Sequence, residues 1–384
     1  MPGGGRTRAT AVRHAPPGAR SRRAERRAEA RQELKAARRA AAARAAARVA
    51  RPRRPAPSST LVLGLAVASV VAILTGVALA SGFLSPPGGG GPEPAGTAHT
   101  VARVAAAAAT VDGPRGWLAA GPPGTVRRFD PSSGALQGHP VAIGGTPQAI
   151  AAGYGKVWVT DVAGNQIVPV DERTGRAQPP IAVGQDPVSV ATGEGGVWVA
   201  SLQAGTVSLI DPAGTRVVAA AALPDGAVRV AVGAGAVWVT GQDDSLTRID
   251  PRPNGVTLRW RTVTVGRGPI GVAVGGGAVW VADAQSGTIS RIDPTTLRVT
   301  GTFPDPVPAD QAGRPDPVSV AVAAGRVWVA DYVTPVLAAL DARTGRPAGR
   351  PVKLPGAVAQ LDVQGSTLWV TTANPGTVVR VDPR

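Results

Sequence analysis

From residue 99 to the C-terminus, apolar and small residues alternate in short runs broken by Gly, Pro and Asp. One stretch shows the pattern. "DPVSVATG" (186–193) alternates into a Gly-rich joint, "GGVWVAS" (195–201) follows, then "GTVSLID" (205–211), then "RVVAAAAL" (216–223). Val, Ile, Thr and Trp at period two, bounded by turn formers, predict four short antiparallel strands. No window here keeps a 3.6-residue period without meeting Gly or Pro, which argues against helices.

The pattern recurs. Tryptophan stands at 117, 158, 198, 238, 280, 328 and 369, in steps of 41, 40, 40, 42, 48 and 41 residues. An aspartate closing the third run follows each one, at 130, 171, 211, 250, 293, 341 and 382; only Trp260 falls outside the series. Four strands in about 40–45 residues make a propeller blade. The expected fold is all-β: a seven-bladed β-propeller of four-stranded blades over residues 99–384. The last copy stops at Asp382-Pro383-Arg384, after its third strand, while "HTVARVA" (99–105) precedes the first inner strand, "AAAAATVDG" (105–113). The N-terminal strand is expected to complete the seventh blade and so remove two raw sheet edges. The repeated tryptophans are expected to pack between blades. The closing aspartates read as turn residues whose side chains bond the amides ahead of them.

Ahead of the repeats, "TLVLGLAVASVVAILTGVALASGFL" (60–84) carries no charge in twenty-five residues. As a helix it reaches about 37 Å at ~1.5 Å per residue, enough to cross a ~30 Å hydrocarbon core. "RVARPRRPAPSS" precedes it and "SPPGGGGPEPAGTAHT" follows it, so the basic side is expected in the cytoplasm and the repeats outside. Ala78-Leu79-Ala80 also fits a signal-peptide cleavage pattern, against which stand the long basic extension and the length of the apolar run. The expected organisation is a basic, partly helical or disordered cytoplasmic tail (1–59), a transmembrane helix (60–84), a Pro/Gly-rich linker (85–98) and the propeller.

Charge sharpens this division. Residues 1–58 hold 17 of the 41 Lys and Arg but 3 of the 25 Asp and Glu, so the net charge of +16 belongs mostly to the tail. A basic run beside a bilayer suits the anionic membrane surface. It lacks aromatics and any reading motif, so nucleic acid is not the expected partner; an envelope protein, a peptide or a small molecule is. The absence of cysteine excludes disulfides, thiolate metal sites and cysteine nucleophiles. The Ala-, Arg-, Gly- and Val-heavy usage points to a GC-rich bacterial genome.

"VWVAD…GTISRID" (279–293) with "PVSVAV" (317–322) resembles the YVTN and NHL-type propellers and the bacterial virginiamycin B lyase-like group near them. "DERTGR" (171–176) and "DARTGR" (341–346) are similar to the turn of quinoprotein repeats, a turn shared by many propellers without a quinone. The Gly-His and Trp-Asp signatures of WD repeats are missing. The resemblance implies a ligand mouth lined by the loop leading into each inner strand and the loop leaving each Trp strand. Asp161, Asp283 and Asp331 stand three residues after a Trp; Asp186, Arg267 and Asp316 stand in lead-in loops. These six are the candidate ligand-binding residues. Asp283, Asp316 and Asp331, beside the longest lead-in "FPDPVPADQAGRPDP" (303–317), are the candidate ligands of a divalent cation such as Ca²⁺, which takes oxygen donors.

Catalysis finds little support. The lyase-like group implies a histidine base with a metal ion, yet the three histidines are His14 in the tail, His99 at the linker end and His139 near an outer strand. The same scarcity argues against Ser/His/Asp hydrolysis. A lactonase-like site would imply Glu, Asn and Asp at the channel, whereas Glu172 and Glu194 belong to the opposite face. The expected function is a membrane-anchored, extracytoplasmic ligand-binding, sensor or protein-interaction module. The alternative is a lyase-like or lactonase-like propeller enzyme.

Overall fold

The computed structural model describes residues 95–384, apart from 104–105, 121–123, 252–257, 309–316, 332–333, 374–375 and 384. The expected tail (1–59), the expected transmembrane helix (60–84) and most of the expected linker (85–98) lie outside the described residues. Among the described residues no helix is long and apolar enough to cross a membrane.

Among the described residues, twenty-eight strands form seven four-stranded antiparallel sheets arranged as a closed ring of blades. The third blade has strands Pro187–Gly193, Gly196–Ser201, Thr206–Ile210 and Val217–Ala222, within a residue or two of the runs read from the sequence. Its inner hairpin turns through Glu194 (φ 46°) and Gly195 (φ 85°). Two consecutive left-handed residues match the right-handed twist of the flanking strands, which is why Gly marks these joints.

Ring closure follows the expected scheme. The strand Gly96–Arg103 pairs antiparallel with Thr377–Pro383 and supplies the outer strand of the seventh blade. It starts at Gly96, inside the segment assigned to the linker. Ala95 is also tied in: its amide donates to the Arg350 carbonyl (2.9 Å), and its own carbonyl accepts from the Arg326 guanidinium (2.9 Å). The outer strands of the second and sixth blades shrink to Ile181–Ala182 and Val352–Lys353. Both follow the "RTGR" turns and Pro-rich stretches, where missing amide donors prevent longer ladders.

The seven repeated tryptophans are at most 4% exposed. Each faces the following blade, where the residues flanking that blade's own Trp receive it: Trp158 meets Val197 and Val199, Trp238 meets Val279 and Val281, and Trp328 meets Leu368 and Val370. The seventh, Trp369, meets Leu118 and Phe129 of the first blade, its ring edge-on to Phe129 at 6.0 Å. Period-two alternation produces this. Trp points to one face of its sheet and its neighbours at ±1 to the other, so each blade is both knob and socket. In the second to sixth blades the indole N–H also donates to the carbonyl five residues earlier, at 3.0–3.3 Å.

The closing aspartates behave as turn residues. Asp171 Oδ1 accepts from the Thr174 amide and hydroxyl, both at 2.7 Å, and Asp341 does the same with Thr344. These bonds hold both carboxyls below the usual range. Asp250 and Asp382 pair instead with Arg248 (2.7 Å) and Arg380 (3.0 Å).

Candidate functional site

Two faces open onto the central channel. One carries the lead-in loops and the turns leaving the Trp strands; the other carries the inner hairpins and the aspartate turns.

The candidate carboxylates lie on the lead-in face, in the second, fifth and sixth blades, each at the end of its own Trp strand. Asp161, Asp283 and Asp331 are 1%, 0% and 2% exposed. Asp161 Oδ1 accepts the Thr146 amide (2.7 Å) and Oδ2 accepts the Gln166 side-chain amide (2.9 Å). Asp283 Oδ2 accepts the Ser290 hydroxyl (2.6 Å) and, more weakly, Thr288 (3.4 Å), while Oδ1 is buried without a hydrogen-bond partner. Burial, only partly offset by these bonds and by the Gly266 amide, raises the Asp283 carboxyl from 3.8 to about 6. Glycine is required above these groups: a Cβ at Gly145 or Gly266 would collide with the carboxylate beneath. The carboxylates therefore pin the incoming loop to the blade it enters.

The loop residues serve in parallel. Asp186 is partly buried in the left-handed region (φ 61°), and burial raises its carboxyl. Its amide donates to Asn165 Oδ1 of the preceding blade (2.9 Å), as Gly268 donates to Asp244 (2.9 Å). Arg267 is exposed, and its amide donates to the Ser286 hydroxyl (2.7 Å). Asp316 lies outside the described residues. Among the described residues no three His, Asp or Glu side chains gather to hold a metal ion. The structure thus brings Asp161, Asp186, Arg267, Asp283 and Asp331 onto one face, spread over the second, third, fifth and sixth blades.

The channel itself forms a cavity of about 670 Å³ lined by inner-strand residues. Asp112, Gly153, Gln364 and Gly365 mark its hairpin-face end; Ser189, Arg229, Gly271, Ser319 and Gln360 mark its inner end. Strand register explains the ring. In the first, third, fourth, sixth and seventh blades Ala108, Ser189, Arg229, Ser319 and Gln360 stand opposite the residue two after the Trp, so Arg229 is the charged member of an otherwise neutral row. Directly opposite the Trp stand Thr110, five alanines and Asp362. Asp362 accepts the Thr110 hydroxyl (2.8 Å) and the Val111 amide (3.3 Å), bridging the seventh blade to the first. Burial pushes its carboxyl up. Neither Arg229 nor Asp362 stands out in a single copy; both appear as the exceptions once the seven copies are aligned on their tryptophans.

A second cavity, about 820 Å³, lies at the side between the first and second blades, with Trp117, Arg128, His139 and Arg176 on its walls. His139 and His99 both sit on outermost strands, Leu136–Ala142 and Gly96–Arg103. Glu172 and Glu194 lie on the hairpin face: the Glu172 amide donates to Gly155 O (3.1 Å), and Glu194 accepts the Gly235 amide (3.1 Å).

No family profile matches the sequence, and no curated protein sequence matches it. Solved structures do. Virginiamycin B lyase from Staphylococcus aureus is 17% identical with a TM-score of 0.61, over 72% of this chain and 94% of that one. A catalytically inactive His-to-Ala variant of that lyase with quinupristin matches at 18% identity and the same TM-score and coverage. BamB from Moraxella catarrhalis is 16% identical with a TM-score of 0.54, over 74% of this chain and 98% of that one. The WD40 repeats of RRP9 are 13% identical with a TM-score of 0.64, over 76% of this chain and 99% of that one. At these identities the likeness is one of fold alone, and the neighbours that share it are an enzyme, BamB and a WD40-repeat protein.

Proposed function

We propose that this chain is a membrane-anchored propeller whose extracytoplasmic ring serves as a non-catalytic binding module, a divergent relative of the YVTN and NHL-type propellers. One observation carries the reading. The lyase neighbour is inactive when a histidine becomes alanine, whereas both propeller histidines here sit on outermost strands, away from the channel. What faces the channel is backbone, apolar side chains, hydroxyls, two glutamine amides, one guanidinium, Asp362 and, exposed at the hairpin-face mouth, Asp112. General-base chemistry needs a titrating group within hydrogen-bond reach of the reacting atom, and Asp362 is already engaged by Thr110 and Val111. The apolar run at 60–84 and its basic flank support the anchor and the outward orientation of the ring.

Two measurements test this. A C-terminal tag should be cut by protease added to intact spheroplasts while an N-terminal tag is protected; the reverse pattern overturns the topology. Purified propeller incubated with quinupristin should leave it unchanged by chromatography. Conversion abolished by denaturing the protein would replace the binding module with a lyase.

A further inference from the structure

The charge distribution inside the channel goes beyond that reading and does not depend on where the ring is located. Arg229 opens the fourth inner strand, Arg229–Gly233, and lines the inner end of the 670 Å³ cavity. Its amide donates to the Thr240 hydroxyl (3.1 Å), which fixes the backbone. Among the described residues, no hydrogen bond or ion pair engages its guanidinium. The side chain is partly buried, and that burial pulls its pKa down with no neighbouring carboxylate to offset the effect. A cation so placed carries an uncompensated desolvation cost, which an anion in contact with it would offset.

Its surroundings suit such an anion. Gly271, Ser319 and Gln360 stand at the same end of the cavity and bring no charge. A Cβ on Gly271 would press on the Val318–Val320 backbone, so the wall is kept thin there. Ser189 accepts the Val230 amide at 3.2 Å through its hydroxyl oxygen, which leaves its own proton to donate. The two carboxyls lining the cavity do not neutralise Arg229. Asp112 is exposed at the hairpin-face mouth, and Asp362 is bound to Thr110 and Val111, its ionised form disfavoured by burial. A guanidinium offers a planar fork of N–H donors that matches two oxygens of one anionic group.

We propose that the central channel is a binding site for a small oxyanion, a phosphate or a carboxylate, held by Arg229 at the inner end of the cavity with neutral donors around it.

Calorimetric titration of the full chain in detergent with inorganic phosphate, and separately with succinate, tests the site and distinguishes the two sources. Binding of at least one is expected, with a rise in melting temperature. Arg229→Gln should weaken it about tenfold or more; Arg229→Lys, which keeps the charge but loses the fork, should lie between. Thermal melting confirms that both variants fold. If neither anion binds the wild-type chain, the site is refuted. Undiminished binding in Arg229→Gln with loss in Arg128→Gln would place the anion in the side cavity and equally overturn the proposal.

Discussion

Three positions after the repeated tryptophan of the second and fifth blades, a side chain ends its strand and meets the loop arriving from the preceding blade. Asp161 and Asp283 meet it as acceptors, binding loop amides or neighbouring hydroxyls while buried. Asp283 has a measurable consequence. Its folded pKa, raised by burial to about 6, lies above the ordinary value of 3.8, so the folded state binds this proton more tightly than the unfolded one. The resulting stability is fully present below pH ~4 and is lost as pH rises through ~6, on the order of 1–3 kcal/mol in all. Asp283→Asn keeps an acceptor for Ser290 and removes the charge. The variant should therefore gain on wild type by that amount between pH 4 and 7 in denaturant melts. A constant difference across this range would refute the raised pKa. A calcium-dependent stability lost in the variant would instead make Asp283 a cation ligand. The indoles give a second test at this scale. Trp238 Nε1 donates to Gly233 O at 3.0 Å, whereas Trp369 Nε1 is buried without a hydrogen-bond partner. Trp238→Phe should cost about 1 kcal/mol more than Trp369→Phe, because only the former leaves a partly buried carbonyl without its donor. Equal costs would show that the indole bond adds nothing.

At the scale of the strand, the repeat reports what every blade shares and hides what one blade does alone. The seven Trp positions, the aspartate turns and the spare N-terminal strand were legible because each follows from period-two alternation and turn chemistry, both local properties. Gly96–Arg103 belongs to the seventh blade for a reason that can be counted along the chain: one copy is a strand short. Arg229 and Asp362 were not legible in that way. Each is the charged exception in a column of neutral residues, and what it faces depends on how seven inner strands converge. The hydrogen bonds already held by Asp161 and Asp283 were hidden too, since they join residues whose geometry is set by the loop's path. The closing strand makes the sharpest test of the element. Deleting residues 95–103 removes the partner of Thr377–Pro383 and exposes that edge. The loss is expected to consume much of the ~5–15 kcal/mol that typically holds a domain together. A melting temperature equal to that of the intact chain would mean the ring holds without its closure.

Over the whole molecule, charge and fold are segregated. Most of the net +16 sits in residues 1–58, which carry 17 basic and 3 acidic groups, while the rest of the chain holds 24 and 22. A near-balanced ring neither requires nor favours a polyanionic partner across its surface, and the internal cation Arg229 is recessed in the channel. Attraction to anionic lipid should accordingly follow the tail alone. Each basic group near such a surface adds about 1 kcal/mol, and the attraction fades as salt shortens the screening length. A peptide of residues 1–58 should co-sediment with vesicles containing phosphatidylglycerol at low salt and be released as salt rises. A chain beginning at residue 95 should stay in the supernatant under the same conditions. Co-sedimentation of that shorter chain would assign lipid affinity to the propeller and make the ring's own surface a membrane contact.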